Sequence, residues 1–340
     1  MDKAFAKGMS WHFIPTVARD LFFLARPVIC RSQHALPQVA MKTKALVIAI
    51  LFVCVSCPAQ ETPQRPHIMG IGNVSIALPK GTGPIDFYIK NLGFGPQLRI
   101  CRMGSLLCLG VGTHQTINLL SGHSEETSNN LAEVTFETSD VGRLRLYLES
   151  RGVQTGQIID VPRSRHFSLT DPEGHHIGFI QYIGEDRYSY SENQLSSRII
   201  HAGFVVQDRA AEDKFYKDIL GFHVYWHGGM KEGEDNWVDM QVPDGTDWIE
   251  YMLRVAPDAS HKTLGVMNHI ALGVPDIHAA QQQLIKNGWK STEEPKIGRD
   301  GKWQLNLYDP DETRVELMEF KPTKEPCCSA YTGPHPGPPQ

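Results

Sequence analysis

Polar and apolar residues alternate in short runs along the second half of the chain. This period of two is typical of strands with one buried face. In the run that contains Glu250, we predict that the side chains of Ile249, Tyr251 and Leu253 pack beneath helices. Trp248 and Met252 would then share the opposite face with Glu250 and line a concave cup. Four such runs contain a histidine or a glutamate within a predicted strand: 198–206, 247–253, 267–274 and 314–320.

A different pattern predicts four helices. Each polar-apolar stretch begins at a residue that can accept hydrogen bonds from first-turn amides, and each ends at a glycine suited to a left-handed C-cap. The starts are Thr82, Asp140, Asp208 and Asp276, and the ends are Gly93, Gly152, Gly221 and Gly288. Each predicted helix follows one strand and precedes two or three more. The chain therefore contains one strand-helix-strands unit four times, and two units would form one mixed sheet with helices on its outer face.

This repeat predicts an α+β protein with two domains of paired βαβββ modules. The domains would span 67–185 and 198–322, with a polar linker at 186–197. A Rossmann arrangement is the competing architecture, but no glycine-rich phosphate loop follows a predicted strand. Gly70-Ile-Gly72 is at best a fragment of such a loop.

Residues 1–60 are predicted to be an N-terminal extension and a signal peptide. A basic start at 41–44 precedes an eleven-residue apolar run at 45–55 and small residues at 56–59. This order favours export to the periplasm or outside the cell, with translation starting at Met41 and no stable membrane insertion after processing. A buried helix or a membrane anchor is the alternative. The proline- and glycine-rich tail, 323–340, is expected to be disordered because it cannot build a core.

Composition and charge restrict the classes of molecule that the chain is expected to bind. The 340 residues include 33 Lys and Arg against 38 Asp and Glu, a formal net charge of −5. Without a basic stripe, nucleic acid is excluded as a partner. We expect a small-molecule substrate and keep a homodimer open. A predicted hairpin also places Cys101 opposite Cys108, which would form either a disulfide or two buried thiols.

The strongest chemical signal is the set His201, Glu250, His269 and Glu316. The two histidines are 68 residues apart and the two glutamates 66 apart, so each pair occupies equivalent places in two copies of the unit. Burying two carboxylates and two imidazoles without partners would cost several kcal/mol. A divalent cation of the zinc, nickel, manganese or iron class would compensate them.

The first predicted domain lacks most of these ligands. Counting from its own helix and turn motifs, Asn73 replaces His201, Glu133 replaces His269 and Gly178 replaces Glu316, while a residue near Asn118 replaces Glu250. One carboxylate cannot hold a divalent ion alone. We therefore predict a metal-free first domain that supports or covers the second. The adjacent His175 and His176 fall in a predicted turn and are expected to be solvated.

Two motifs identify a family resemblance. Phe-Tyr-x-x-x-Leu-Gly-Phe occurs at 87–94 and 215–222, and an Asp-Pro-acidic turn precedes an apolar strand at 171–177 and 309–316. These motifs resemble the vicinal-oxygen-chelate superfamily. It includes glyoxalase I, fosfomycin- and bleomycin-resistance proteins, methylmalonyl-coenzyme A epimerase and extradiol dioxygenases. The resemblance covers nearly all of 67–322. The spacing of the four ligands resembles the His-Glu-His-Glu set of bacterial glyoxalase I.

The resemblance implies a lyase or isomerase of the glyoxalase type, in which Glu250 or Glu316 leaves the metal and moves a proton between adjacent carbons. Trp248, Met252 and Asn306 are candidate substrate contacts, although Trp248 also suits plain core packing. An extradiol dioxygenase with His201, His269 and Glu316 around iron is the second hypothesis. Against it, the stretch 301–304 lacks the histidine of that family. The third is an exported binding or resistance protein without catalysis.

Overall fold

Two eight-stranded sheets carry the fold. The structure is a computed structural model, and it describes residues 63–79, 81–96, 105–121, 130–184 and 191–339. The predicted signal peptide with Met41 lies outside these residues, as does Cys101, so the pairing of Cys101 with Cys108 stays a prediction. Within the described part of the chain, no helix is both long and apolar enough to cross a membrane.

The first sheet has the strand order β2-β3-β4-β1-β5-β8-β7-β6. Its strands are β1 (Ile68–Leu78), β2 (Gly95–Pro96), β3 (Ser105–Gly110), β4 (Thr116–Ser121), β5 (Leu131–Thr138), β6 (Ile159–Val161), β7 (Ser164–Thr170) and β8 (His176–Tyr182). The second sheet repeats this order as β10-β11-β12-β9-β13-β16-β15-β14. Its strands are β9 (Ile199–Val205), β10 (His223–Gly228), β11 (Trp237–Gln241), β12 (Trp248–Met252), β13 (His269–Val274), β14 (Lys296–Ile297), β15 (Trp303–Tyr308) and β16 (Arg314–Glu319).

Each sheet consists of two βαβββ units joined through their first strands. In the second sheet, β9 pairs antiparallel with β13, and each pairs in parallel with the last strand of its own unit, β12 or β16. The first sheet uses β1 and β5 in the same way. The α+β class and the paired βαβββ architecture are therefore confirmed. The helical segments are Phe87–Asn91, Val141–Ser150, Arg209–Glu212 continued by Asp213–Ile219, His261–Met267 and Ile277–Lys286.

Three of the four predicted helix caps form as expected. The side chains of Asp140, Asp208 and Asp276 accept hydrogen bonds from backbone amides in the first turns of their helices. The prediction of a cap at Thr82 is wrong: the helical segment Phe87–Asn91 is preceded by Asp86, which makes no side-chain cap. The glycines predicted to end the four helices all have positive φ angles, between 76° and 88°.

The repeated motifs bind the two sheets to each other. The Tyr88 hydroxyl donates to Asp309 Oδ2 across 3.0 Å, and the Tyr216 hydroxyl donates to Asp171 Oδ2 across 3.0 Å. Each tyrosine lies in a helical segment beside one sheet and its aspartate in a turn of the other sheet, so the two contacts are reciprocal. Both tyrosines are fully buried. The Phe-Tyr and Asp-Pro motifs thus also supply contacts that join the two sheets.

The tail corrects the expectation of disorder over 323–340. The described part, 323–339, runs along the second sheet: the Tyr331 hydroxyl donates to the Asp300 carbonyl at 2.7 Å, and the indole of Trp226 donates to the Cys327 carbonyl at 3.0 Å. Cys327 and Cys328 form a disulfide. A segment that cannot build a core of its own can still be ordered by packing against another part of the chain. The tail packs Tyr331 against Tyr225, in an aromatic cluster that the sheet already provides.

Candidate metal centre

The four predicted ligands meet on one face of the second sheet because of its register. His201 on β9 lies between Trp248 and Ala271, and Ala271 lies beside Glu316. In the neighbouring row, Gly203 separates Glu250 on β12 from His269 on β13. In each row a small residue, Ala271 or Gly203, thus separates two candidate ligands. The side chains of the four candidates converge above these small residues.

Distances within the set are short. The Nε2 atoms of His201 and His269 lie 3.1 Å apart, and Glu250 Oε2 lies 3.1 Å from His269 Nε2 and 3.8 Å from His201 Nε2. Glu316 Oε2 lies 3.6 Å and 3.7 Å from the same two nitrogens. Ligands held about 2.1 Å from one ion lie about 3 Å apart at adjacent octahedral positions. The donor set therefore fits a divalent metal, and the donor atoms of His201, His269 and Glu316 all lie within 4.8 Å of one another.

The surroundings of both histidines favour the neutral imidazole, which is the form that binds a metal ion. The Nδ1–H of His269 donates to the Met267 carbonyl at 2.9 Å, which leaves the Nε2 lone pair directed at the site. Burial, together with the positive charge of Arg314, holds the pKa of His269 well below its usual value, and burial acts in the same way on His201. Burial also raises the pKa of Glu250 and that of Glu316, each to about 7.

Comparisons with known proteins agree with this geometry. Residues 198–317 match the model of the Glyoxalase/Bleomycin resistance protein/Dioxygenase superfamily. This match spans the second sheet from β9 into β16. A relative with 28% identity over 129 residues is the lactoylglutathione lyase of Haemophilus influenzae; the match covers 37% of this chain and 96% of the relative.

Solved structures show that the fold of both sheets is shared with known proteins. Homoprotocatechuate 2,3-dioxygenase from Brevibacterium fuscum, in complex with 3,4-dihydroxyphenylacetate, aligns with a TM-score of 0.58 and 19% identity. The alignment covers 80% of this chain and 84% of that one. The 2,3-dioxygenase LapB from Pseudomonas sp. KL28 aligns with a TM-score of 0.56 and 15% identity, over 81% of this chain and 96% of that one. At these identities the likeness shows the fold alone.

A cavity of about 330 Å³ opens above the candidate ligands. His201, Glu250 and Glu316 lie on its floor, and Trp248 and Asn306, two of the predicted substrate contacts, line it. Met252 does not fit that prediction: its side chain is buried and is not part of the described cavity lining. It lies at the end of β12, two residues beyond Glu250, and its register partner on β11 is Trp237.

Two basic residues of the site were missed by the sequence analysis. Arg314 lines the cavity, and its guanidinium donates to His269 Nε2 at 2.6 Å. It lies two residues before Glu316 on the same strand, so alternation alone could have placed it on the cup face.

Lys302 gives no such signal, because lysine is rarely buried. Its ammonium is fully buried, 4.4 Å from the Trp248 ring centre and 5.2 Å from those of Tyr225 and Tyr331. Burial lowers the pKa of this lysine, although the charge of Asp300 opposes the effect.

The first sheet has the same two rows of paired positions as the second, but other residues occupy them. Its register places Asn73 at the position of His201, Asn118 at that of Glu250, Glu133 at that of His269 and Gly178 at that of Glu316. Hydrogen bonds link the side chains at these positions: the Asn118 amide donates to Asn73 Oδ1 at 3.2 Å, and a nearby hydroxyl donates to Glu133 Oε1 at 3.0 Å. This face lacks the two imidazoles that make the second sheet a metal candidate.

Proposed function

We propose that the second sheet is a metal-dependent lyase or isomerase of the glyoxalase type, acting on a small substrate with oxygens on adjacent carbons. The observation that carries this proposal is the position of Glu250, whose carboxylate lies 3.1 Å and 3.8 Å from the two imidazole nitrogens. A fourth protein ligand leaves two octahedral positions, enough for a bidentate substrate. The likeness to a lactoylglutathione lyase supports the same chemistry.

In this proposal His201, Glu250, His269 and Glu316 hold the divalent ion, which polarises the substrate oxygens as a Lewis acid when bound. Zinc, nickel, manganese and iron all suit these donors. Glu250 is the better candidate for moving the proton between adjacent carbons: its side chain is 15% exposed and lines the cavity, whereas that of Glu316 is 5% exposed. A general base must reach the substrate before it can act.

The remaining cavity residues define the kind of substrate. Trp226, Trp237 and Trp248 form apolar walls, and Arg314 carries a positive charge beside the ligands. A guanidinium in this place can orient a substrate carboxylate or oxyanion by hydrogen bonds. We infer a compact substrate with an apolar part and a negatively charged oxygen. Export, as predicted from residues 41–59, would favour a dicarbonyl or sugar acid over a thiol adduct, because such thiols are chiefly cytosolic.

An extradiol-type dioxygenase is the second candidate. His201, His269 and Glu316 have donor atoms within 4.8 Å of one another, which is a two-histidine-one-carboxylate set suited to iron(II). In that case Glu250 would face the substrate without binding the ion.

Glu250 therefore discriminates between the two activities, and two variants test it: Glu250→Gln and, as a control, Glu192→Gln at an exposed glutamate. Each purified full-length protein would be analysed for bound metals. It would then be assayed for isomerisation of the dicarbonyl methylglyoxal to lactate, with the glutathione hemithioacetal as a second substrate, and for ring opening of 3,4-dihydroxyphenylacetate. The proposal predicts at least a tenfold loss of metal affinity and loss of isomerase activity in Glu250→Gln only. Iron retained in that variant, together with ring opening by the wild type, would establish the dioxygenase instead.

A further inference from the structure

A second group of metal-type donors lies where the two sheets meet, and it is composed of residues that do not line the cavity. Asp171 and His175 come from the turn between β7 and β8 of the first sheet, and Glu212 comes from the helix that follows β9 of the second. Each offers one ligand atom, and these atoms lie within 4.8 Å of one another. His175 Nδ1 is 2.8 Å from Asp171 Oδ2.

The reciprocal contact between the sheets provides an internal comparison. At both contacts an aspartate accepts two backbone amides of its own turn and one tyrosine hydroxyl. Asp171 accepts the amides of Glu173 and His175 at 3.1 Å and 2.8 Å, and Asp309 accepts those of Asp311 and Thr313, both at 2.9 Å. The joint between the sheets is therefore complete with these groups alone.

The extra donors occur at only one of the two contacts. The counterpart of His175, four residues after the aspartate, is Thr313 in the other turn. The counterpart of Glu212, three residues before the Phe-Tyr pair, is Pro84. Neither replacement can serve as a strong metal ligand. An imidazole and a buried carboxylate have thus been added to a joint that forms without them elsewhere in the same molecule.

Glu212 provides a second, independent observation. Its side chain has no exposed surface, and Oε1 accepts the Glu173 amide at 3.1 Å, but Oε2 has no hydrogen-bond partner among the described residues. A buried carboxylate oxygen without a partner beside a second carboxylate is costly unless a proton or a cation compensates it. Burial, and then the charge of Asp171, raises the pKa of Glu212 to about 8.

We propose that Asp171, His175 and Glu212 form a structural site for a divalent transition-metal ion that clamps the first sheet to the second. Imidazole nitrogens and carboxylate oxygens are both donors that zinc accepts in proteins. The ring of His175 stacks on Phe204 at 4.6 Å, which fixes its orientation, and the Tyr216 hydroxyl donates to Asp171 at 3.0 Å. Such contacts with the ligands are what holds a protein metal site in shape.

Zinc titration of the full chain tests this site separately from the cavity. In a His201→Ala/His269→Ala background, which disables the cavity, we expect one equivalent of zinc to bind and to raise the melting temperature. Adding Glu212→Gln is expected to abolish that equivalent, whereas adding Asp218→Asn, at an exposed residue of the same helical segment, leaves it in place. The wild type should bind two equivalents and the single variant Glu212→Gln one.

Two results would overturn the proposal. One is a His201→Ala/His269→Ala protein that folds and binds no zinc, which would mean that a proton alone satisfies Glu212. The other is a bound equivalent that survives Glu212→Gln. Should the double variant fail to fold, equal zinc stoichiometry in the wild type and in Glu212→Gln has the same meaning. Because the cavity ligands are different residues, neither outcome bears on the proposed enzymatic function.

Discussion

Gly203 lies on β9 between Glu250 and His269, and its lack of a side chain is what allows the imidazole of His269 to reach the site. A Cβ built at this position would overlap the His269 ring. The backbone of Gly203 is not in the left-handed region, so alanine is compatible with the strand itself. The conflict is therefore between the methyl group and the metal ligand, and it can be tested directly.

Gly203→Ala is expected to lower metal affinity at least tenfold and to destabilise the fold by about 1–3 kcal/mol, because the ring must move away from the added methyl group. Metal titration and urea unfolding measure the two effects. Gly95→Ala is the control, since a Cβ there would meet nothing within 4 Å. Unchanged affinity in Gly203→Ala would show that His269 does not need this position to bind metal.

At the same scale, the sequence indicated the candidate ligands more clearly than it indicated their surroundings. His201, Glu250, His269 and Glu316 stand out because polar residues in apolar strands are costly, and the repeat gives each one a counterpart. Arg314 and Lys302 were missed because basic residues are usually solvent-exposed. Met252 was misplaced for another reason: alternation assigns a face of the strand but not how far along that face the cavity extends.

At the scale of elements, the turn between β15 and β16 is built around Asp309. This carboxylate is 4% exposed and accepts two backbone amides and the Tyr88 hydroxyl. Burial nevertheless dominates and raises its pKa from 3.8 to about 6. The folded protein therefore binds this proton more tightly than the unfolded chain does, so the contribution of Asp309 to stability is fully present below pH 3.8 and is lost as the pH rises to about 6.

In Asp309→Asn a side-chain oxygen can still accept hydrogen bonds from the two backbone amides, but the negative charge is removed. Two pKa units correspond to about 3 kcal/mol, so the free energy of unfolding of the variant, relative to the wild type, should rise by that order between pH 3.5 and 6.5. Urea unfolding across this range measures the difference, which should stay constant above pH 7. A difference that does not change with pH would mean that Asp309 is not desolvated as its burial indicates.

At the scale of the whole molecule, the repeat allowed the fold to be predicted. Four caps, four glycines and two copies of each motif predicted four βαβββ units, and the two sheets have that order. The contacts between the sheets could not be predicted in the same way. Tyr88 and Asp309, or Asp171 and Glu212, come from different units, and their partnership depends on a packing that no local pattern encodes. His175, expected to be solvated, lies at that joint for the same reason.

The tail allows a last test at this scale, because its order depends entirely on the sheet beneath it. The Tyr331 ring helps to cover Lys302, the Cys327 carbonyl accepts a hydrogen bond from the Trp226 indole, and the Thr332 amide donates to the Tyr225 carbonyl at 3.0 Å.

Ending the chain at Pro322 would expose these groups together. We expect the free energy of unfolding to fall by on the order of 2–5 kcal/mol, from the aromatic contacts and hydrogen bonds combined. Urea unfolding of this truncation, compared with a chain that lacks only Pro339 and Gln340, measures the loss. Metal stoichiometry at His201 and His269 should persist, because all four candidate ligands lie on strands of the sheet. Equal stability of the two truncations would mean that the tail rests on the sheet without supporting it.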